Sequence, residues 1–206
     1  MTNRIFSMVK PLALSIFAIA LFTLAHGEAR ADEVTISGST TGTVTGVSHL
    51  TFAGNTFTGT TALGVGSLSG ANRLGTFTLS TGALQSVAGS FTLNVTFTAP
   101  AGINGGSNTT YTATITGSVA PNVDQGGVNI HFASPSQTFT FSNGGTSGSF
   151  TLTLADVFVQ SGRTANLTAG ITGHQTTVPE PATLLLLGTG LTGIAASMRR
   201  RKAAGR

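Results

Sequence analysis

The chain has 206 residues, with ten basic and six acidic side chains and no cysteine. Eight of the ten basic residues lie within the first 31 or the last eight positions, so the stretch from Asp32 to Val178 carries only Arg73 and Arg163 against four acidic residues. This stretch lacks the positive footprint of a nucleic-acid-binding domain, and it has no disulfides to stabilise it. It must be held together by a hydrophobic core, for which about 145 residues suffice.

The first 31 residues have the pattern of an export signal. A positively charged start and an apolar run from Pro11 to Leu24 are followed by Ala29 and Ala31, the small residues of an Ala-x-Ala cleavage site. This pattern predicts a signal-peptide helix in residues 1–31 and a mature chain that starts at Asp32. The alternative is an uncleaved N-terminal anchor. In either case the middle of the chain is expected outside the cytoplasm.

The middle of the chain alternates between apolar and hydroxyl side chains. Every second residue of Phe91–Thr98 is apolar, and most of the residues between them are threonines. Tyr111–Thr116, Phe139–Phe141 and Phe150–Leu154 follow the same pattern. A period of two predicts strands with one buried face and one solvated face, and the β-branched threonine suits a pleated surface. The alternation therefore favours a folded domain over the disordered linker that the Thr, Gly and Ser content alone would suggest.

This alternation predicts about nine strands and no helix in the domain. We place them near residues 33–38, 43–53, 55–60, 75–80, 89–98, 109–118, 127–132, 136–142 and 148–159, with a tenth candidate at 164–172. Short turns join them, and Asn143–Gly145 predicts a β-hairpin. The pattern favours an antiparallel β-sandwich, Ig-like or jelly-roll-like, over residues 32–173, followed by a tether at 174–178.

A five-residue pattern, glycine, threonine or serine, phenylalanine, threonine, leucine, occurs three times. The copies are Gly75–Leu79, Gly89–Leu93 and Gly148–Leu152. Their spacing is unequal, so they do not form a solenoid repeat. We interpret them as three strands that meet the same local packing requirement.

The domain shows no catalytic or metal-binding motif. It has neither a Gly-x-Ser-x-Gly nor a His-Glu-x-x-His sequence, and its isolated acidic residues form neither a glycosidase pair nor a calcium loop. A Ser-His-Asp triad stays open, since its members meet only in the fold. We predict a non-catalytic domain without cofactor or metal. The remaining polar residues are assigned as follows: His49 and His131 on the solvated face, His174 in the tether, Asp156 in a turn or bulge, and Arg73 and Arg163 on the surface without a special role.

The hydroxyl-rich face raises a second possible activity, the binding of carbohydrate. Threonine side chains can form hydrogen bonds with a polysaccharide. Sugar platforms, however, use several exposed aromatic rings, whereas this chain has no tryptophan, one tyrosine, Tyr111, and phenylalanines that mostly share the phase of the core. Thr-x-Thr rows also occur on ice-binding surfaces, but those need a constant repeat. Specific sugar binding is therefore an alternative function and not the one that we favour.

The tail has three parts in a fixed order. Pro179, Glu180 and Pro181 come first, and the uncharged apolar run Ala182–Met198 follows. A basic block ends it, formed by Arg199, Arg200, Arg201 and Lys202. At about 1.5 Å per residue the run predicts a transmembrane helix of about 25 Å, with the basic block on the cytoplasmic side.

This order resembles the PEP-CTERM sorting signal, here residues 179–202. The resemblance implies an exported bacterial protein whose tail is removed by an exosortase, a membrane-embedded protease, in bacteria that make exopolysaccharide. A permanent single-span anchor is the alternative. We expect an inner-membrane-anchored precursor and a mature form at the cell surface or outside the cell. Its expected role is that of a structural or interaction protein of the envelope, extracellular matrix or biofilm, and the alternative is a secreted carbohydrate-binding module or adhesin.

Overall fold

The computed structural model describes residues 33–177, which form an all-β domain. The strands are β1 (Thr35–Thr45), β2 (Leu50–Gly54), β3 (Thr56–Thr60), β4 (Val65–Leu68), β5 (Gly75–Leu79), β6 (Gln85–Ala99), β7 (Asn108–Val119), β8 (Gly127–Phe132), β9 (Ser136–Asn143), β10 (Thr146–Leu154), β11 (Val157–Gln160), β12 (Arg163–Leu167) and β13 (Ala169–Thr177). One short 3₁₀ turn, Gly70–Asn72, is the only helical segment of the described residues. Every strand pairing among them is antiparallel.

The strands form three antiparallel sheets around one core, which confirms the all-β prediction and is consistent with a two-layered β-sandwich. The six-stranded sheet has the order β11-β8-β7-β6-β1-β3, the four-stranded sheet β4-β13-β10-β9, and the three-stranded sheet β12-β5-β2. Phe91 and Phe97 of the long strand β6 contact Phe77 of β5 and Phe150 of β10 respectively. The two shorter sheets therefore cover different parts of the same inner face of the six-stranded sheet.

Two aromatic clusters fill the space between the layers. Phe52, Phe77 and Phe91 form one, with ring centroids 4.8 to 4.9 Å apart. In the other, Phe97, Phe139 and Phe150 have centroids 5.0 to 5.2 Å apart. These distances are typical of favourable tilted or offset ring pairs. Aliphatic side chains from all three sheets connect the clusters into one core.

The count of thirteen strands corrects the predicted nine. The predicted strands at 148–159, 164–172 and 43–53 are each divided, because the chain leaves one sheet for another at Ala155–Asp156, at Thr168 and at Gly46–His49. In Ala165–Ile171 the burial alternation continues through the break, so the sequence pattern carries no sign of it. The short strand β4 was missed because Leu68 is its only fully buried residue.

Strand β1 shows the opposite difference, since it is continuous where two strands were predicted. Its inward positions include Gly38 and Gly42 instead of large apolar residues. A Cβ atom at Gly42 would lie 2.6 Å from the rings of Phe52 and Phe91, and one at Gly38 would lie 2.2 Å from the carbonyl oxygen of Thr96. The glycines leave room for neighbouring strands and rings, and this use of small residues hides the alternation.

The three copies of the five-residue pattern occupy β5, β6 and β10, and their Phe and Leu residues are all buried. The glycine of each copy lies where a neighbour comes very close. A Cβ atom would lie 2.3 Å from the Phe52 ring at Gly75, 2.3 Å from the Thr45 oxygen at Gly89, and 2.4 Å from the His174 oxygen at Gly148. A shared local packing requirement therefore accounts for the pattern.

Both ends of the described chain lie at one end of the sandwich, here called the proximal pole. The backbone N–H of Val34 donates to the hydroxyl of Thr61 at 2.8 Å, and Val34 lies beside Gly173 of β13. The predicted hairpin at Asn143–Gly145 is confirmed at this pole, where β9 pairs with β10. The opposite end, the distal pole, consists of the turns at residues 46–49, 80–84, 120–126 and 161–162.

The predicted tether at 174–178 is corrected by strand β13, which continues to Thr177. Residues 174–177 pair with Thr146–Ser149 of β10, so their backbone groups are satisfied within the sheet. The predicted signal-peptide helix of residues 1–31 and the predicted transmembrane helix of residues 182–198 fall outside the described residues. Within residues 33–177 no helix has the length and hydropathy to cross a membrane.

Candidate functional site: hydroxyl-covered faces and a phenylalanine patch

The residues predicted to direct sorting lie outside the described part of the chain. These are Ala29 and Ala31 of the signal peptide, Pro179, Glu180 and Pro181 of the sorting motif, and Arg199, Arg200, Arg201 and Lys202 of the basic block. What the structure describes is the domain that these signals carry.

The outer face of the four-stranded sheet is covered by hydroxyl groups in register. Row by row across β9, β10 and β13, its outward residues are Ser136, Thr153 and Gly170; Thr138, Thr151 and Thr172; Thr140, Ser149 and His174; and Ser142, Ser147 and Thr176. Hydroxyl pairs join neighbouring strands at 2.7 Å between Thr138 and Thr151 and at 3.1 Å between Ser147 and Thr176. We call these residues the small hydroxyl face.

The six-stranded sheet carries a second such surface, the large hydroxyl face. Across β1, β6 and β7 its rows are Ser39, Thr96 and Asn108; Thr41, Asn94 and Thr110; Thr43, Thr92 and Thr112; and Thr45, Ser90 and Thr114. The Thr110 hydroxyl donates to the Asn94 side-chain oxygen at 2.9 Å. A hydroxyl has one donor and two acceptor positions, so each cross-strand pair leaves capacity for a further polar partner. Both faces therefore offer neutral hydrogen-bonding groups at the spacing of adjacent strands.

An exposed aromatic ring lies beside the large hydroxyl face. Phe158 of β11 is 53% exposed and stands directly opposite Asn129 of β8. Its ring covers Gly127, where a Cβ atom would lie only 2.5 Å from the ring carbon Cζ. Because Gly127 has no side chain, one side of the Phe158 ring packs on its backbone, while much of the ring faces solvent. Sequence reasoning missed this residue because the other phenylalanines follow the phase of the core.

A hydrogen-bonded carboxylate and imidazole flank this ring. The Asp156 Oδ2 atom lies 2.6 Å from His131 Nδ1, and Asp156 Oδ1 accepts the Phe132 backbone N–H at 3.0 Å. These hydrogen bonds, first from the Phe132 N–H and then from His131, lower the pKa of Asp156 below its ordinary value. The predicted exposure of His131 and the position of Asp156 between strands are confirmed. We call Phe158, Asn129, His131 and Asp156 the Phe158 patch.

The His131–Asp156 pair resembles two members of a catalytic triad, but a third is needed. Among residues 33–177, no hydroxyl is hydrogen-bonded to the Nε2 atom of His131. The pair is also open to water, with 66% of the His131 and 55% of the Asp156 side chain exposed. Within the described residues the two side chains are therefore an exposed, hydrogen-bonded polar pair. Nor do three or more His, Asp or Glu residues of this part of the chain gather into a group that could hold a metal ion.

The two arginines of the domain have structural roles that the sequence did not reveal. Arg163 of β12 forms a bidentate pair with Asp124, with Nε–Oδ1 and Nη2–Oδ2 distances of 2.7 and 2.6 Å. The hydrogen bonds that Arg163 donates to the Asp124 carboxylate lower the pKa of Asp124 and raise the pKa of Arg163. Arg73 donates to Thr76 at 2.8 Å and to the Gly70 carbonyl at 3.0 Å, which fixes the 3₁₀ turn. Both arginines therefore stabilise loops of the domain, and the prediction of no special role was wrong.

The other two histidines lie apart from this patch. His49 is half-buried in the turn after β1, with its Nδ1 atom 3.3 Å from the Ser80 hydroxyl. His174, predicted in the tether, lies in β13 as an exposed member of the small hydroxyl face, 3.5 Å from the Ser149 hydroxyl. The structure thus brings His131 and Asp156 together but leaves the three histidines at separate places.

Comparison with known proteins identifies only the tail. Residues 177–201 match the PEP-CTERM protein-sorting motif, two residues earlier than the motif predicted from Pro179 onward. Neither the curated proteins nor the solved structures that were compared contain a match to the chain. The matched segment begins at Thr177, the residue at which β13 ends. The chain therefore carries a PEP-CTERM protein-sorting motif in its C-terminal tail, which indicates an exported, membrane-transiting precursor processed by an exosortase-type protein.

Proposed function

We propose that this chain is a non-catalytic structural or interaction protein of the cell envelope or extracellular matrix. In this proposal an exosortase removes the tail after export, and the mature domain associates with exopolysaccharide through its hydroxyl faces. The mature form acts at the cell surface or outside the cell, without a cofactor or metal.

The observation that supports this most is the register of hydroxyl groups on both outer surfaces. Thr138 and Thr151 on the small hydroxyl face, and Thr92 and Thr112 on the large one, are directly opposed across neighbouring strands. Strands lie about 4.8 Å apart, so each row presents hydroxyl groups at a regular short interval. A neutral polysaccharide offers hydroxyls along its own length. Many weak contacts between two such surfaces give association without a deep pocket.

The Phe158 patch favours a second candidate, a specific carbohydrate-binding module or adhesin. A half-exposed ring can pack on the apolar face of a sugar, while Asn129 and the His131–Asp156 pair provide amide, imidazole and carboxylate groups next to it. This is the combination of one apolar platform and a few fixed polar groups that is typical of small-molecule sites. The patch departs from the usual platform of several aromatics, since Phe158 is the single aromatic side chain more than half exposed in residues 33–177.

Binding to polysaccharide distinguishes the two candidates. We expect the mature protein, purified from a host that carries an exosortase, to co-sediment with exopolysaccharide. If the hydroxyl faces mediate this, Phe158→Ala will leave the bound fraction nearly unchanged, whereas Thr138→Val with Thr151→Val will reduce it. A saturable signal for one sugar that is lost in Phe158→Ala would instead favour the carbohydrate-binding module. Absence of co-sedimentation with any polysaccharide would contradict both.

Sorting is tested separately through the motif. Pro179 and Pro181 remove two backbone donors and disfavour sheet pairing around Glu180, which favours an extended substrate for a protease. We expect Glu180→Ala, or Pro179→Ala with Pro181→Ala, to be exported but uncut. Fractionation and immunoblotting in a host with its own exosortase measure this. Maturation of the Glu180→Ala protein at the wild-type rate would show that the motif is not what the protease recognises.

The basic block provides the contrasting variant. Replacement of Arg199, Arg200, Arg201 and Lys202 by neutral residues should let the tail slip outward, because these charges are expected to hold it on the cytoplasmic side. The expected result is loss of the protein from the membrane fraction without removal of the tail, which intact mass would report. Retention in the membrane would mean that the apolar run alone is sufficient.

A further inference from the structure

The turn between β3 and β4 holds a leucine in an unfavourable backbone conformation. Ala62 and Val65 exchange two backbone hydrogen bonds of 2.8 and 3.2 Å, which closes a two-residue turn around Leu63 and Gly64. Their φ angles are +52° and +81°, so both central residues are in the left-handed region. Turns of this kind favour asparagine followed by glycine, since a larger L-residue is strained there. We call residues Ala62–Val65 the Leu63 turn.

Leu63 is also almost fully exposed. Its relative exposure is 93%, the highest among the exposed large apolar residues of residues 33–177, and Val65 beside it is 63% exposed. The side chain therefore gains no packing energy within the domain that could offset the strain of its backbone. A position where both local backbone preference and solvent disfavour the residue points to a contact outside the folded domain.

The Leu63 turn is joined to the strand that leads to the sorting motif. The Gly173 N–H donates to the Gly64 carbonyl at 2.9 Å, and Val65 pairs with Thr172. Strand β13 ends four residues after Gly173, where the sorting motif begins. The five residue-to-residue steps from Thr177 to Ala182, the start of the apolar run, reach at most about 18 Å when extended. Gly173, which the turn contacts, is therefore nine residues before the start of the segment expected to enter the membrane.

The strands around the turn carry no charged side chain, but the exposed Glu33 lies next to Val34, whose N–H binds Thr61 two residues before Leu63. Strands β4, β9, β10 and β13 contain no Asp, Glu, Lys or Arg. The pairs of charged side chains, Asp124 with Arg163 and His131 with Asp156, lie on other sheets or at the distal pole. Leu63 and Val65 can therefore reach a lipid interface in an orientation that leaves the Glu33 carboxylate in water.

We propose that the Leu63 turn contacts the lipid surface in the uncleaved precursor, with Leu63 and Val65 inserted at the outer interface of the membrane that the tail enters. The inference depends on the membrane-transiting precursor described above. One leucine and one valine would hold a free protein only weakly, but the tail keeps the turn at a high effective concentration near the lipid. The contact fixes the orientation of the domain, and with it the direction in which the chain leaves β13 toward Pro179. Removal of the tail ends this advantage and releases the domain.

The absence of cysteine makes a direct test possible. In the full chain, Leu63→Cys and Leu84→Cys are each labelled with an environment-sensitive fluorophore and reconstituted into phosphatidylethanolamine–phosphatidylglycerol vesicles. Leu84 is the matched control, since it is a leucine of 76% exposure at the distal pole. We expect blue-shifted emission and quenching by brominated lipid at position 63, and neither at position 84.

Three other outcomes would overturn the inference in distinguishable ways. If the protein floats with the vesicles while both probes report water, the tail anchors the chain and the turn does not touch lipid. A blue shift at position 63 without quenching by brominated lipid would show a protein contact, such as a second copy. If the full chain does not float with the vesicles, the membrane-anchored precursor itself is wrong, and the contact proposed for the turn falls with it.

Discussion

The three-stranded and four-stranded sheets cover the same long sheet, and their inner faces are built alike. Each has a strand with the sequence pattern Gly-x-Phe-Thr-Leu, in which Phe77 or Phe150 inserts into an aromatic cluster. The partners from the six-stranded sheet are Phe91 and Phe97, six residues apart on the inner face of β6. The two halves of the core are therefore formed by one type of strand used twice.

The outer faces of the two sheets differ. The three-stranded sheet has charged groups at its margin, where Arg163 binds Asp124 and Arg73 fixes a turn. The four-stranded sheet has none in its strands and is held instead by hydroxyl pairs such as that of Thr138 with Thr151. It also carries the end that continues into the sorting motif. The difference shows that one core pattern can support two surfaces, one with charged pairs at its margin and one whose strands carry hydroxyl pairs and no Asp, Glu, Lys or Arg.

The largest expected losses of stability are at the buried phenylalanines, and the two aromatic clusters of the core should respond equally. Phe91→Asp and Phe150→Asp each place a carboxylate at a buried ring position and should abolish the cooperative unfolding transition, a loss of more than about 4 kcal/mol. Thr92→Asp and Thr151→Asp, one residue later on the outer face, should cost less than about 1 kcal/mol. Circular dichroism during thermal unfolding compares the pairs. Equal damage from the Phe and Thr variants would contradict the assignment of faces.

Two glycines of the four-stranded sheet give the next largest difference. A Cβ atom at Gly148 would lie 2.4 Å from the His174 carbonyl oxygen, whereas one at Gly170 meets no atom within 4 Å. Gly148→Ala should therefore destabilise the domain by about 2 kcal/mol, since backbone must move. Gly170→Ala should leave stability unchanged or raise it by about 0.5 kcal/mol by restricting the unfolded chain. Denaturant titration measures both, and similar values for the two would show that β10 and β13 do not approach as closely as described.

These glycines also show where sequence reasoning succeeds and where it stops. Alternation identified the inner face because Phe91 and Leu93 are large and apolar at a period of two. It failed at Gly38 and Gly42, whose inward positions leave room for the Thr96 backbone and for rings of other strands. The pairing of Arg163 with Asp124 and of His131 with Asp156 joins residues that are 39 and 25 positions apart, and no local pattern encodes it. The sorting motif was recognised because its chemistry is contiguous in the chain.

Low pH should weaken contacts outside the four-stranded sheet, because the strands of that sheet contain no carboxylate. The pKa values of Asp124 and Asp156 are lowered in the folded state, by the hydrogen bonds from Arg163 and from the Phe132 N–H respectively. A lowered folded pKa gives stability that is present above the ordinary carboxyl pKa of about 3.9 and is lost as the pH falls through the folded value. We expect a small fall in Tm below about pH 4, since both pairs are exposed to solvent.

Asparagine variants identify the source of this acid response. Asp124→Asn and Asp156→Asn should each lower Tm slightly at pH 7 and flatten its decrease on acidification, and together they should remove most of it. Calorimetric scans between pH 7 and pH 2.5 provide the measurement. An unchanged acid response in the double variant would show that these two carboxylates are not its source.

The smallest expected change in stability is at Leu63, and its sign matters more than its size. Asparagine tolerates the left-handed conformation better than leucine, so Leu63→Asn should raise the stability of the domain by about 0.5 kcal/mol. Leu84→Asn at the distal pole, where no positive φ is involved, should change it by less than that. A clear loss of stability in Leu63→Asn would show that the leucine packs on its own domain, which its 93% exposure opposes. A gain would mean that the native leucine lowers the stability of the fold, as expected if it is retained for a contact made only while the tail holds this side of the sandwich against lipid.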